Sequence, residues 1–167
     1  MDLSMLTTKA IEYDAGDPRR VQHFMKVYAF CHAIGTAEGL SAHEQELLDA
    51  AAILHDIGIH NAEHAHSSSA GNWQELEGPP VARILLHALG WAEDAIERIC
   101  WLIAHHHSHH ASEELPFRIL LEADFLVNAY EDALPRTACE AARDRIFRTE
   151  TGKHYLAQLF LAPPWQA

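Results

Sequence analysis

Long apolar runs are missing from this 167-residue chain, and its N-terminus has no signal-peptide core. The first absence argues against a membrane-spanning helix, and the second makes a cytoplasmic protein the expectation. Cysteine is scarce: Cys31, Cys100 and Cys139 are odd in number and far apart. All three fall in helix-like segments, so free thiols in a reducing compartment are expected rather than a disulfide framework. Cations are few, with 12 Lys and Arg against 24 Asp and Glu and a formal net charge of −12. That balance speaks against binding a nucleic-acid polymer, because phosphate backbones are held by clustered cations. An acidic protein that handles phosphate esters needs a metal ion or local basic groups at its site. Strand-like alternation of useful length is absent, as are internal repeats and low-complexity tails.

Histidine, by contrast, is plentiful, with 14 residues. Apolar residues make up 49% and charged residues 22%, an ordinary balance for a globular protein. The length suits one domain, taken as residues 1–167 with a core over about 17–160. The expected class is all-α. Asp17 can cap a helix with Pro18 in its first position, carrying Val21, Phe24, Val27, Cys31 and Ile34 on one face and stopping near Gly39. Ser41 and Glu44 form a capping-box pattern for a second helix with Leu47, Leu48, Ala51 and Leu54 buried, ended by Gly58. Residues 60–78 read as an irregular loop. Pro79-Pro80 then start a helix that closes at Gly90. Further helices are expected over Ala92–His107, from Pro116 onward, over Thr137–Arg148 and over Thr151–Leu161, with Pro163-Pro164 as the final stop. The helix from Pro116 is apolar on nearly all sides and so is expected to be central.

Two elements carry polar groups inside runs that otherwise want burial. One is His55-Asp56 in Ala50–Gly58, at the last turn of a buried helix. Imidazole nitrogen and carboxylate oxygen both ligate borderline or hard divalent metals. The other reading is a helix-end imidazole at the dipole's negative pole beside a solvated acid. Asp124, in Ile119–Val127, has Leu120, Leu121, Val127 and Asn128 as its neighbours three and four residues away. A buried Arg or Tyr partner would satisfy it, and so would a cation shared with His55-Asp56. Glu122 is read as solvated or as an outer partner. His23 borders the apolar stripe of its helix, with Lys26 on the same face.

The order of these groups resembles the HD-domain superfamily of metal-dependent phosphohydrolases. His23-Phe24-Met25-Lys26-Val27 is similar to a first motif His-x-x-Arg-Val, with Lys in place of Arg. Ile53–Ile57 resembles the apolar-Leu-His-Asp-Ile motif, and Glu122–Leu126 resembles the last motif, Asp-Ala-Asp-x-Leu. Glu77–Arg83, the His105–His107 run and Phe125–Asp132 look like a small subgroup of single-domain HD proteins.

The resemblance implies an HD-type helical bundle with one divalent metal (Mn, Fe, Co, Ni, Zn or Mg) on His23, His55, Asp56 and Asp124. It implies a phosphohydrolase using a metal-activated water, with Asp56 or Glu63 accepting a proton and His105 or His106 facing the site. A polar helix end with solvated imidazoles is the other reading of the histidine run. The favoured other reading of Glu63 is a solvated acid on a loop, since loops are ordinarily polar. Lys26 and Arg83 are the expected substrate-phosphate contacts, drawn from a set that includes Arg19, Arg20 and Arg118. The substrate would be a nucleotide or another small phosphate ester, with no membrane partner; a homo-oligomer is left open. The larger di-metal members carry a further histidine, for which His60, His64, His66 and His87 are the candidates here. No Gly-Tyr-Pro extension follows the histidine run, which argues against a cyclic-di-GMP phosphodiesterase. A di-iron oxygenase and a non-catalytic metal- or nucleotide-binding module are the alternatives.

Overall fold

Helix ends, more than helix interiors, set the geometry of this protein. The computed structural model describes residues 2–163. In chain order the α-helices are α1 (Leu3–Tyr13), α2 (Pro18–Ala37), α3 (Ala42–Leu54), α4 (Ile59–His66), α5 (Gly71–Ala88), α6 (Glu93–Ile103), α7 (Leu115–Glu131), α8 (Arg136–Arg145) and α9 (Glu150–Leu156). A π-helical segment follows at Ala157–Leu161. Among the described residues there is no strand, and no helix is long and apolar enough to cross a membrane. Pro164, half of the predicted final stop, lies outside the described residues.

The predicted caps of α2 and α3 form. Asp17 accepts from the Arg20 amide ahead of Pro18, and Ser41 and Glu44 exchange both bonds of a capping box. Gly39 and Gly90 adopt positive φ of 79° and 74°, which glycine tolerates at a helix end without a Cβ clash. The core joins Leu6 and Ala10 of α1 to Phe24, Val27, Cys31 and Ile34 of α2, the inner face of α3, and α5, α6 and α7. The helix α2 packs chiefly on α3 and α7. As expected, α7 is central, with Phe117 through Asp124 buried without a break. All three cysteines are free and buried.

Four expectations are corrected. The helix α1, capped by Asp2, precedes the first predicted helix. The loop over 60–78 shrinks to Ser67–Ala70, because 59–66 and 71–78 are helical. Pro79 and Pro80 lie inside α5 rather than at its start. Each proline costs a helix interior on the order of 3 kcal/mol. Packing on both sides overrides that preference: Gly78 sits so close to Gly58 that a Cβ on Gly58 would collide with the Gly78 backbone, while Val81, Ala82 and Leu86 are buried beyond the prolines. Lastly, Glu122 is fully buried rather than solvated. It accepts from the Arg148 amide and from both the amide and hydroxyl of Thr149, tying the start of α9 to α7.

Replacing Glu122 by Ala strands those three donors. An unsatisfied buried group costs about 1–3 kcal/mol, so Glu122→Ala should lower stability by about 2–4 kcal/mol and the Tm by about 5–15 °C. Thermal unfolding followed by circular dichroism checks this, and a shift under about 2 °C would show that water satisfies the donors instead.

Candidate metal centre

Three imidazoles from three helix regions meet around Asp56, and each is aimed by its other nitrogen. His23 is on α2, and its Nδ1 lies 3.0 Å from Glu131 Oε2. His55 caps α3, with Nδ1 2.8 Å from the Ala52 carbonyl oxygen. His106 follows α6, with Nδ1 2.7 Å from the Ile103 carbonyl oxygen. Each acceptor takes an Nδ1–H, which leaves the Nε2 lone pair facing inward. For His55 and His106 the acceptor is a carbonyl three residues back, one of the groups a helix end leaves without a helical partner.

The inward nitrogens meet two carboxylates. His23 Nε2 is 3.2 Å from His55 Nε2, 3.2 Å from Asp124 Oδ1 and 3.5 Å from Asp56 Oδ2. His55 Nε2 is 3.6 Å from an oxygen of each acid. His106 Nε2 lies 3.4 Å from Asp56 Oδ1, out of hydrogen-bond alignment, and is buried with no hydrogen-bond partner. Asn128 donates to Asp124 Oδ1 at 2.9 Å and steadies it from one turn further along α7.

This donor set fits a divalent cation. Ligands held at 2.0–2.2 Å stand about 3.0–3.5 Å from one another, close to the spacings seen. Two facing imidazole lone pairs and an orphaned buried nitrogen also need a shared positive charge. Without one, protons serve: burial opposes the charged ring of His23, but Asp124, Asp56 and Glu131 outweigh it and push its pKa up to about 9. Burial likewise opposes ionisation of Asp56 and Asp124, yet the surrounding imidazoles hold both below the usual carboxylate range. A second three-donor group, Asp56 with His106 and His107, adjoins the first and shares Asp56.

A cavity of about 440 Å³ opens onto this cluster. His23, Asp56 and Asp124 line it, as do His107, Gln74 and Ser69 on one side and Asp17, Arg19, Arg20 and Glu63 on another. Burial, then the neighbouring His106, pushes His107 down to about 4, so it stands neutral, with Nε2 3.0 Å from Gln74 Oε1.

The structure brings together His23, His55, Asp56, Asp124 and His106. His105 it leaves elsewhere, stacked on Trp101 with Nδ1 on the Trp101 carbonyl, facing a separate surface cleft. Arg83 is also apart, paired with Glu93 and Glu97. Lys26 does not line the cavity; its Nζ is 2.5 Å from Glu131 Oε1, behind His23. Glu63 lines the cavity, but from α4 rather than a loop, and holds Arg20 Nη2 at 2.7 Å. Arg118 is buried and binds Glu113 and the His109 carbonyl. His60, His64, His66 and His87 are not in the cavity wall. The sequence reading missed Glu131 as an anchor and His107 as a wall residue. Glu131 had a legible signal, since it lies seven residues after Asp124, two turns along the same helical face.

Removing the anchor of His23 with Glu131→Ala should weaken divalent-metal affinity by about 10–100-fold, measured by calorimetric titration. Unchanged affinity would reduce Glu131 to a partner of Lys26. A second test concerns Asp14, 4% exposed at the end of α1 and 3.6 Å from His60 Nε2. Burial pushes its pKa up to about 6, only partly offset by His60 and Arg20. The folded state therefore holds this proton more tightly than the unfolded chain. The resulting stability is complete below about pH 4 and is lost as pH rises toward about 6, by roughly 2 kcal/mol. Asp14→Asn should flatten the stability curve over that window, as read from denaturant midpoints at each pH.

The family model of the HD domain matches residues 20–146. Comparisons with curated proteins and with solved structures gave no match. The matched stretch is more than half of the chain and contains His23, His55, Asp56, His106 and Asp124, so the protein belongs to the HD-domain family.

Proposed function

We propose that this protein is a metal-dependent phosphohydrolase acting on small phosphate esters, with one divalent cation on His23, His55, Asp56 and Asp124. HD-domain membership supports the coarser part of this reading, because the superfamily is one of metal-dependent phosphohydrolases. The observation that carries it is the convergence of inward-facing imidazoles and two acids beside an open, polar cavity.

What a bound divalent cation supplies there is Lewis acidity toward water and a phosphoryl oxygen. The chain's own residues do the rest. Buried Asp124 and half-buried Asp56 hold negative charge, and His23, His55 and His106 keep it oriented. His106 is buried and outside the cavity wall, so it acts through Asp56, 3.4 Å from its Nε2. Arg20, on the first turn of α2, lines the cavity with its guanidinium held by Glu63 and Asp17, so it can contact the substrate's organic part. Lys26 and Arg83, the expected phosphate contacts, are both engaged away from the cavity wall. His105, turned toward another cleft, takes no part. His60, His64, His66 and His87, the expected further ligands of a di-iron oxygenase, are outside the wall, and a second metal would instead meet Asp56, His106 and His107.

Protein stripped with a chelator and reloaded with Mn, Co, Ni, Zn or Mg should release inorganic phosphate from a phosphate ester with at least one of them. Asp56→Asn should reduce that release by more than the ~10–100-fold expected from losing an outer partner. Undiminished turnover by Asp56→Asn would remove the proposal.

A further inference from the structure

The wall of the cavity, away from the metal-binding cluster, has a distinct chemistry. Asp17, Glu63 and Asp132 face Arg19 and Arg20 there, and Ile59 is the one apolar residue in the lining. No Phe, Tyr or Trp contributes to it among the described residues. The acids and guanidiniums already form ion pairs with each other. Arg20 Nη2 is 2.7 Å from Glu63 Oε1, Arg20 Nε is 3.3 Å from Asp17 Oδ2, and Arg19 Nη2 is 3.8 Å from Asp132 Oδ1. An ionised carboxylate has about four acceptor sites, so each acid keeps capacity after its arginine is served.

Such a wall suits hydroxyl groups. A hydroxyl both donates and accepts, so it can bridge a carboxylate and a guanidinium without leaving either unpaired. A purine or pyrimidine cannot do this with its ring face. It would desolvate paired charges, and the rings in the lining are the imidazoles of His23 and His107, which are engaged with Glu131 and Gln74. Charge also orients the substrate. Three carboxylates against two guanidiniums make this wall unfavourable for a phosphate dianion, whereas the imidazole cluster with its cation is favourable. The ester's phosphate therefore belongs at the cluster and its organic part against the charged wall.

We infer that the substrate is a small phosphorylated polyol of the sugar-phosphate class rather than a nucleotide, recognised through Asp17, Glu63 and Arg20. The inference rests on the phosphohydrolase reading for its reaction but not for its binding selectivity.

Ribose 5-phosphate and adenosine 5′-monophosphate share a phosphate and a pentose and differ by the base, which makes them the decisive pair. Both are titrated into metal-loaded protein by calorimetry and assayed for phosphate release, with phenyl phosphate as the ester lacking hydroxyls. The expected result is tighter binding and a kcat/KM about tenfold or more higher for ribose 5-phosphate than for the mononucleotide. Glu63→Gln and Asp17→Asn should each raise KM for ribose 5-phosphate by at least about tenfold more than KM for phenyl phosphate. Equal or preferred use of the mononucleotide overturns the substrate class while leaving the hydrolase standing. Selective binding of ribose 5-phosphate with no phosphate released supports the class and removes the hydrolase. Binding of neither ester overturns both.

Discussion

Holding two carboxylates together, Asp124 buried and Asp56 half-buried, is the constraint around which this protein is organised. Asp56 and Asp124 come from different parts of the chain, and their oxygens meet the same imidazole nitrogens at 3.2–3.6 Å. An uncompensated acid in such a place costs several kcal/mol. The compensation comes from His23, His55 and His106, and each of these depends on an acceptor behind it. Two of those acceptors are backbone carbonyls at helix ends, so the site exists because α3 and α6 stop where they do. The third is Glu131, itself held by Lys26, so α2 and α7 must lie side by side for His23 to point inward.

The remaining polar interior serves the same end. Glu122 is on α7 close to Asp124 in sequence, but it secures α9 through Arg148 and Thr149. Arg118 secures the segment carrying His109 and Glu113, which follows the histidine run. Gly58 and Gly78 allow α5 to press on the turn that holds Asp56. That contact draws the proline-bearing helix over the cluster and brings Gln74 and His107 into the cavity wall.

Much of the fold was legible because helix ends carry chemical labels: Asp17 with Pro18, Ser41 with Glu44, and Gly39 and Gly90 all mark boundaries near those observed. Pro79-Pro80 misled for the same reason. The local preference is real, and packing between α4 and α6 outweighed it. In the site, His23, His55, Asp56 and Asp124 stood out as polar groups in or beside apolar runs, and the order of the motifs linked them. The choice between His105 and His106 was not legible. Adjacent residues leave a helix end in different directions, and both rings find a carbonyl for Nδ1. Only packing put one against Trp101 and the other against Asp56.

Cations show the same division. Lys26 and His23 share a face in sequence, as read, yet a charged group on a ligand's face can be its support as easily as the substrate's anchor. Which it becomes depends on Glu131 lying within reach. Local chemistry along the chain thus determined the helical class, most boundaries and the donor types, because caps, periodicity and ligand chemistry act over a few residues. Tertiary structure alone decided which histidine faces the acids, which arginine faces the cavity and what Glu122 holds. Those outcomes depend on the directions of side chains from helices distant in sequence, and direction is set by packing.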